Sequence, residues 1–124
     1  MRGTMAETTF LQRSYDMQQG PLPKCHNGVG DVQWTEVLSF AGDKNRKLNF
    51  FHDDILAPGV AVGSHRHEHD EEYYYIIDGR GIMTLDGNEF EVGPGDIAAV
   101  YPGGSHGLRN HTNRDLRIIV VNVS

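Results

Sequence analysis

Cysteine is nearly absent from this chain, because Cys25 is the only one among 124 residues. A single thiol excludes an intrachain disulfide and favours a reducing compartment. The opening segment, residues 1–10, also lacks the apolar stretch of a secretory signal. We therefore expect a cytoplasmic protein.

Long apolar runs and an excess of positive charge are missing too. No run of about 18 apolar residues occurs, so we expect no transmembrane helix and no membrane partner. The formal net charge of −6 opposes binding to nucleic acid, so we expect no nucleic-acid partner. The chain has no G-x-S-x-G elbow, and neither Gly28-Val29-Gly30 nor Gly93-Pro94-Gly95 leads from a strand into a helix. These absences argue against a serine hydrolase and a phosphate-binding loop.

Short β-strands dominate the sequence pattern from Trp34 onward. Residues 72–77 are aromatic and β-branched, which favours a strand, and Asp86-Gly87 predicts a tight hairpin. Residues 55–59 predict a bend. The segments that predict strands are 34–40, 46–52, 72–77, 80–86, 88–92, 96–101 and 115–123. Short strands separated by glycine-rich turns indicate an all-β sandwich or barrel.

The chain is long enough for one domain. Residues 1–31 are weakly patterned and rich in turn formers, which predicts an N-terminal extended arm with one short strand. We interpret residues 32–124 as a single β-domain.

Two histidines, His65 and His67, stand two residues apart in a segment that predicts a strand. Side chains alternate faces along a strand, so both imidazoles point the same way, with Cα atoms about 6.6–7 Å apart. Glu72 opens the next strand and can return to the same place as an oxygen ligand. Nitrogen and carboxylate ligands together suit a divalent transition metal. The alternative for residues 65–72 is a solvated, charged loop.

Residues 59–79 and 95–110 together resemble the two signatures of the cupin family. The first reads GVAVGSHRHEHDEEYYYIIDG and the second reads GDIAAVYPGGSHGLRN. Tyr101 stands where the family usually has proline, and the proline is displaced by one residue to Pro102. The resemblance covers residues 56–123 and implies the cupin double-stranded β-helix, which is a jelly-roll barrel.

The resemblance also implies a metal site. Its ligands would be His65, His67, Glu72 and His106. These ligand types suit Fe, Mn, Ni, Zn or Cu about equally, so we expect one divalent transition metal of unspecified identity. The spacing to Gly79 favours Glu72, by resemblance. The residues alone leave Glu71 open, because the turn after His67 resets which face each side chain takes.

Two functions of different classes follow from the resemblance. One is a metal-dependent enzyme of the dioxygenase, isomerase or lyase type, acting on a small polar molecule. Its candidate acid–base residues are Tyr74, Tyr101 and His52. The other is a non-catalytic, metal-containing module that binds or senses a small molecule. Turnover with the metal restored would separate them.

We also expect a homodimer, because small cupins are commonly dimers and sandwich edge strands invite pairing. The N-terminal arm is apolar enough to be covered by a neighbouring subunit. Its apolar side chains are Phe10, Leu11, Tyr15, Met17 and Leu22. The alternative is that the arm packs on its own barrel.

Overall fold

A computed structural model describes residues 8–124 of the chain. Within these residues the fold consists of ten strands and two short 3-10 helices, Ser14–Asp16 and Cys25–Asn27. The strands are β1 (Gln18–Pro23), β2 (Asp31–Ser39), β3 (Leu48–Leu56), β4 (Ala61–Arg66), β5 (Glu71–Asp78), β6 (Gly81–Leu85), β7 (Asn88–Val92), β8 (Ile97–Val100), β9 (Ser105–Arg109) and β10 (Leu116–Val123). No helix in this part of the chain is long and apolar enough to cross a membrane.

The strands form two antiparallel sheets that enclose one core. The larger sheet has the order β1-β2-β3-β10-β5-β8, and the smaller has the order β4-β9-β6-β7. Consecutive strands repeatedly cross from one sheet to the other, as in a jelly roll. The expected all-β, double-stranded β-helix architecture is confirmed.

Alternation along β10 shows how the core is built and where it becomes polar. Ile118 and Val120 are buried, whereas Arg117, which precedes Ile118, is exposed. Their register partners on β5 are Ile76 and Tyr74, which are buried as well. Each fully buried aliphatic side chain contributes about 1.5–3 kcal/mol relative to exposure. The next inward pair is polar, because Asn122 lies opposite Glu72.

The second predicted strand, 46–52, begins and ends later in the structure, as β3. β3 includes Ile55 and Leu56, which are the first two residues of the segment 55–59, where a bend was predicted. The extension occurs because Leu56 is paired on both sides, with Val32 of β2 and Leu116 of β10. The chain then turns at Gly59, whose φ of +84° lies in the left-handed region that favours glycine.

The N-terminal arm lies partly within the larger sheet. Gln18–Pro23 forms β1, which pairs antiparallel with β2 of the same chain. Leu22 packs against the core, and the ring of Phe10 meets Phe40 edge-on at 5.5 Å. Leu11 and Tyr15 remain exposed. The first seven residues of the predicted arm lie outside the described residues, and the homodimer stays a prediction.

Candidate metal centre

The histidines and the glutamate meet at the polar end of the barrel, between the two sheets. His65 on β4 and His106 on β9 are direct register partners within the smaller sheet. His67 follows the end of β4. Glu72 reaches the same place from β5 of the larger sheet, where it lies beside Asn122.

Four potential ligand atoms converge in this space. His106 Nε2 lies 3.0 Å from His67 Nε2, 3.1 Å from His65 Nε2 and 3.0 Å from Glu72 Oε1. Glu72 Oε1 lies 3.5 Å from His67 Nε2 and 3.9 Å from His65 Nε2. All four atoms lie within 4.8 Å of one another. Metal–nitrogen and metal–oxygen bonds of about 2.0–2.2 Å fit a cluster of this size.

The outer nitrogens of two of these rings determine which lone pairs face inward. His65 Nδ1 lies 2.8 Å from the carbonyl oxygen of Gly63, which can only accept a hydrogen bond. His67 Nδ1 lies 2.8 Å from the carboxylate of Asp70. Both Nδ1 atoms therefore carry a proton, and in the neutral rings the unprotonated Nε2 atoms would face Glu72. Nitrogen lone pairs that converge on a carboxylate in this way are what a cation would satisfy.

Glu72 is held as a carboxylate in this site. Burial alone would raise the pKa of Glu72, but hydrogen bonds from His106 and Asn122, together with the nearby His65 ring, hold that pKa well below its usual range. Asn122 Nδ2 contributes directly, at 3.0 Å from Glu72 Oε2. A negative charge is thus fixed among the three imidazoles. Glu71 does not share this position, since its carboxylate accepts a hydrogen bond from Tyr73 on the other face of β5.

Asn122 connects the site to the rest of the barrel. Its Nδ2 also lies 3.0 Å from Asp70 Oδ2, and its Oδ1 accepts a 2.8 Å hydrogen bond from Asn49. The same amide therefore orients Glu72 and, through Asp70, the ring of His67. Sequence reasoning missed Asn122 and Asp70. The one available signal was a polar residue on the inward face of the otherwise apolar strand 118–123.

His106 is oriented by packing. Its ring is fully buried and stacks on Tyr74, with centroids 4.4 Å apart and an interplanar angle of 24°. Within residues 8–124, no group hydrogen-bonds to His106 Nδ1. Burial lowers the pKa of His106, which favours the neutral ring that a metal requires. Burial raises the pKa of Tyr74 well above its usual value, so its phenol keeps its proton.

The other two candidate acid–base residues lie outside this cluster. His52 faces the interior from β3, where its ring stacks on Phe50 at 4.4 Å and meets Trp34 edge-on at 5.7 Å. Tyr101 is 54% exposed and meets the ring of Tyr73 edge-on at 6.2 Å. Of the three candidates, the structure brings only Tyr74 into contact with a proposed ligand.

An open depression of about 470 Å³ lies over the cluster, and its lining includes His26, Asn49, His65, His67 and Asp70. His26 was not predicted as a site residue. Its ring stacks on that of His65 with centroids 3.5 Å apart and an interplanar angle of 10°. Burial and the neighbouring His65 lower the pKa of His26. No spacing rule connects residue 26 to residue 65, so the sequence offered no signal for this contact.

Comparison with known proteins identifies the family of this chain. The family model described as the cupin domain matches residues 54–122. The oxalate-binding protein of Thermotoga maritima is 32% identical over 114 residues, covering 92% of this chain and 93% of that protein. The acireductone dioxygenase of Leptospira biflexa is 32% identical over 125 residues, covering 85% of this chain and 67% of that protein.

A solved structure agrees over nearly the whole chain. The crystal structure of a predicted oxalate decarboxylase from Thermotoga maritima superposes with a TM-score of 0.81 at 32% identity, covering 90% of this chain and 96% of that one. The family match spans more than half of the chain and includes all four residues of the cluster. The chain therefore belongs to the cupin family.

Proposed function

We propose that this protein holds one divalent transition metal and uses it to bind a small bidentate oxygen anion, of the size and chemistry of oxalate. The observation that carries the proposal is the convergence of four ligand atoms, from His65, His67, Glu72 and His106, within 4.8 Å. Fe, Mn, Ni, Zn and Cu all remain compatible with this ligand set.

The number and charge of the ligands suit an anion. Four protein ligands leave two positions on a six-coordinate ion, which is the number that a chelating dicarboxylate or oxo acid fills. Glu72 contributes one negative charge and the imidazoles none, so a divalent ion keeps a net positive charge in the site. When bound, the metal supplies Lewis-acid attraction for the oxygen atoms of the anion.

The residues around the ligands would keep the site ready for the ion. Asn122 fixes both Glu72 and Asp70, and Asp70 fixes the protonated Nδ1 of His67. Gly63 does the same for His65. Supporting contacts of this kind orient ligands and raise metal affinity. The depression over the cluster gives a small molecule access from solvent.

The relatives support a ligand of this class. The protein named for oxalate binding is similar over 92% of the present chain. The structure described as a predicted oxalate decarboxylase is similar over 90% of it. Both point to a two-carbon dicarboxylate, and they differ on whether the anion is only bound or also consumed.

A metal-dependent enzyme is the second candidate. One observation favours it: the buried, protonated phenol of Tyr74 lies against the His106 ring, where it can hold a proton beside the site. The similarity to acireductone dioxygenase supports the same class. The released product would distinguish the candidates, because a binding module leaves its ligand unchanged.

Isothermal titration of oxalate into the Mn²⁺-loaded protein tests the proposal. We expect saturable binding of one oxalate per chain, and none after the metal is removed with a chelator. Malonate, which forms a larger chelate ring, tests the size of the anion. Acetate tests whether a second carboxylate is needed. Metal-loaded protein that binds none of the three anions would refute the proposal. Loss of oxalate with release of formate or CO₂ would favour the enzyme.

A further inference from the structure

His26 covers one side of the candidate metal centre without belonging to its ligand set. Its ring lies parallel to the His65 ring, with centroids 3.5 Å apart and planes 10° apart. The group of four converging ligand atoms does not include a nitrogen of His26. The His26 ring therefore lies beside the four converging ligand atoms, against the ring of one proposed ligand.

The loop that carries His26 is built in an unusual way. Lys24, His26 and Asn27 have φ values of +48°, +51° and +61°, in the left-handed region that non-glycine residues seldom adopt. Such conformations persist where the surrounding structure enforces them, and they cluster at functional sites. Turn hydrogen bonds join Asn27 N to Lys24 O and Gly28 N to Cys25 O, both at 3.0 Å.

Two glycines let this loop approach β4 closely. A Cβ on Gly63 would lie 2.0 Å from the carbonyl oxygen of His26, and a Cβ on Gly28 would lie 1.9 Å from the carbonyl oxygen of Ala61. Any larger residue at either position would push the loop away. Gly63 also accepts the hydrogen bond of His65 Nδ1, so one residue fixes both rings of the stack.

The nitrogens of the His26 ring are free to bind a ligand. Within residues 8–124, no protein group hydrogen-bonds to them, whereas the other rings at the mouth, His65 and His67, are each engaged through Nδ1. His26 lines the depression over the cluster together with Asn49 and Asp70. It is therefore accessible from the side on which a small molecule would enter.

We infer that His26 is a ligand-contacting residue, which donates a hydrogen bond from its ring to an acceptor atom of the anion bound at the metal. The inference rests on the proposed function, because it needs an anion at that metal. Stacking on the His65 ring fixes the position of the His26 ring, and therefore of its donor nitrogen, relative to the cluster. His26 thereby contributes to affinity for the anion and not to affinity for the metal.

The variant His26→Phe tests this role, since phenylalanine keeps a flat ring for stacking and removes the nitrogens. His69→Phe is the matched control, because His69 is exposed and lines the same depression. Mn²⁺ affinity is measured first, by titration followed with electron paramagnetic resonance. Oxalate affinity of the Mn²⁺-loaded protein and azide affinity of the Co²⁺-loaded protein are measured next.

We expect His26→Phe to bind Mn²⁺ within about twofold of wild type and both anions about tenfold more weakly, while His69→Phe matches wild type throughout. Wild-type anion affinity in His26→Phe would overturn the inference, and loss of Mn²⁺ affinity would show a metal ligand instead. If the wild-type protein binds azide but not oxalate, the proposal of an oxalate-like ligand is refuted. The azide affinity of His26→Phe then tests the role of His26 by itself. Wild-type protein that binds neither anion would overturn both.

Discussion

Asn122 and Glu72 lie directly opposite one another on β10 and β5, and the amide donates a 3.0 Å hydrogen bond to the carboxylate. Both side chains are buried, at 2% and 5% exposure. The neighbouring inward-facing pairs on these two strands, Val120 with Tyr74 and Ile118 with Ile76, belong to the hydrophobic core. The position at which the inward face changes from apolar to polar is therefore the position of the candidate metal centre.

Asn122→Leu should weaken metal binding while keeping the four ligands. Leucine has the same branched outline but cannot donate to Glu72 or Asp70, so both carboxylates lose their orientation. Loss of such supporting contacts costs about tenfold to hundredfold in metal affinity. Titration with Mn²⁺ measures the change, and Asn113→Leu on an exposed turn is the control. Unchanged affinity in Asn122→Leu would mean that the amide is not needed to orient Glu72.

The variants Glu72→Gln and Glu71→Gln test the register of β5. Glu72 faces the histidines, whereas Glu71 accepts a hydrogen bond from Tyr73 on the other face. Glu72→Gln should lower Mn²⁺ affinity by at least about tenfold, because it replaces a charged oxygen ligand with a neutral amide. Glu71→Gln should leave affinity near wild type. An equal or reversed effect would mean that the pairing is shifted by one residue.

Asp54 should make folding stability depend on pH. Burial, followed by the nearby charge of Asp53, raises the pKa of Asp54 to about 7, and Asp54 Oδ1 has no hydrogen-bond partner within residues 8–124. The folded protein therefore binds a proton that the unfolded chain has already released. The resulting stabilisation is full below about pH 4 and is lost as pH rises through about 7.

Asp54→Asn removes this titration, so the variant should gain stability relative to wild type as pH rises from about 5 to about 8. The gain should reach about 3 kcal/mol at most. Urea unfolding of the metal-free proteins at both pH values measures it, and Asp115→Asn at an exposed position is the control. A difference between Asp54→Asn and wild type that does not change with pH would contradict the assignment.

The four residues of the cluster could be predicted from sequence because their spacing is local or belongs to a recognisable motif. His65 and His67 share a strand face by alternation alone, and the second motif supplied His106. Asn122 and His26 could not be predicted in this way. Their contacts join residues that are far apart in sequence, and they depend on sheet register and on a loop in the left-handed region.

The fold was predictable to the level of its class and most of its strands. The extent of β3 was not, because pairing with two neighbours extends it through Ile55 and Leu56, where the local sequence indicates a bend. The sequence also did not decide whether Glu71 or Glu72 faces the interior from β5, and the structure places Glu72 there, beside Asn122. Local propensity gives way here to cross-strand pairing.

We propose that the protein is a homodimer. Part of the N-terminal arm is already used within the chain, because β1 pairs with β2 and Leu22 reaches the core. Leu11 and Tyr15 remain exposed, at 47% and 81%, and are available to a second subunit. Light scattering at micromolar concentration should give the mass of a dimer. A monomer would contradict the proposal, and a dimer that persists in a protein starting at Asp31 would exclude the arm from the interface.

Metal content of the His106→Ala protein decides whether the four side chains hold one ion together. His106 is fully buried, and its Nε2 lies within 3.1 Å of the ligand atoms of His65, His67 and Glu72, so its loss should open the site. His111→Ala, at an exposed position, is the control. After incubation with Mn²⁺ and desalting at neutral pH, elemental analysis should find about one ion per chain in wild type and His111→Ala. It should find less than about a tenth of that in His106→Ala. Full metal content in His106→Ala would mean that His106 is not a metal ligand.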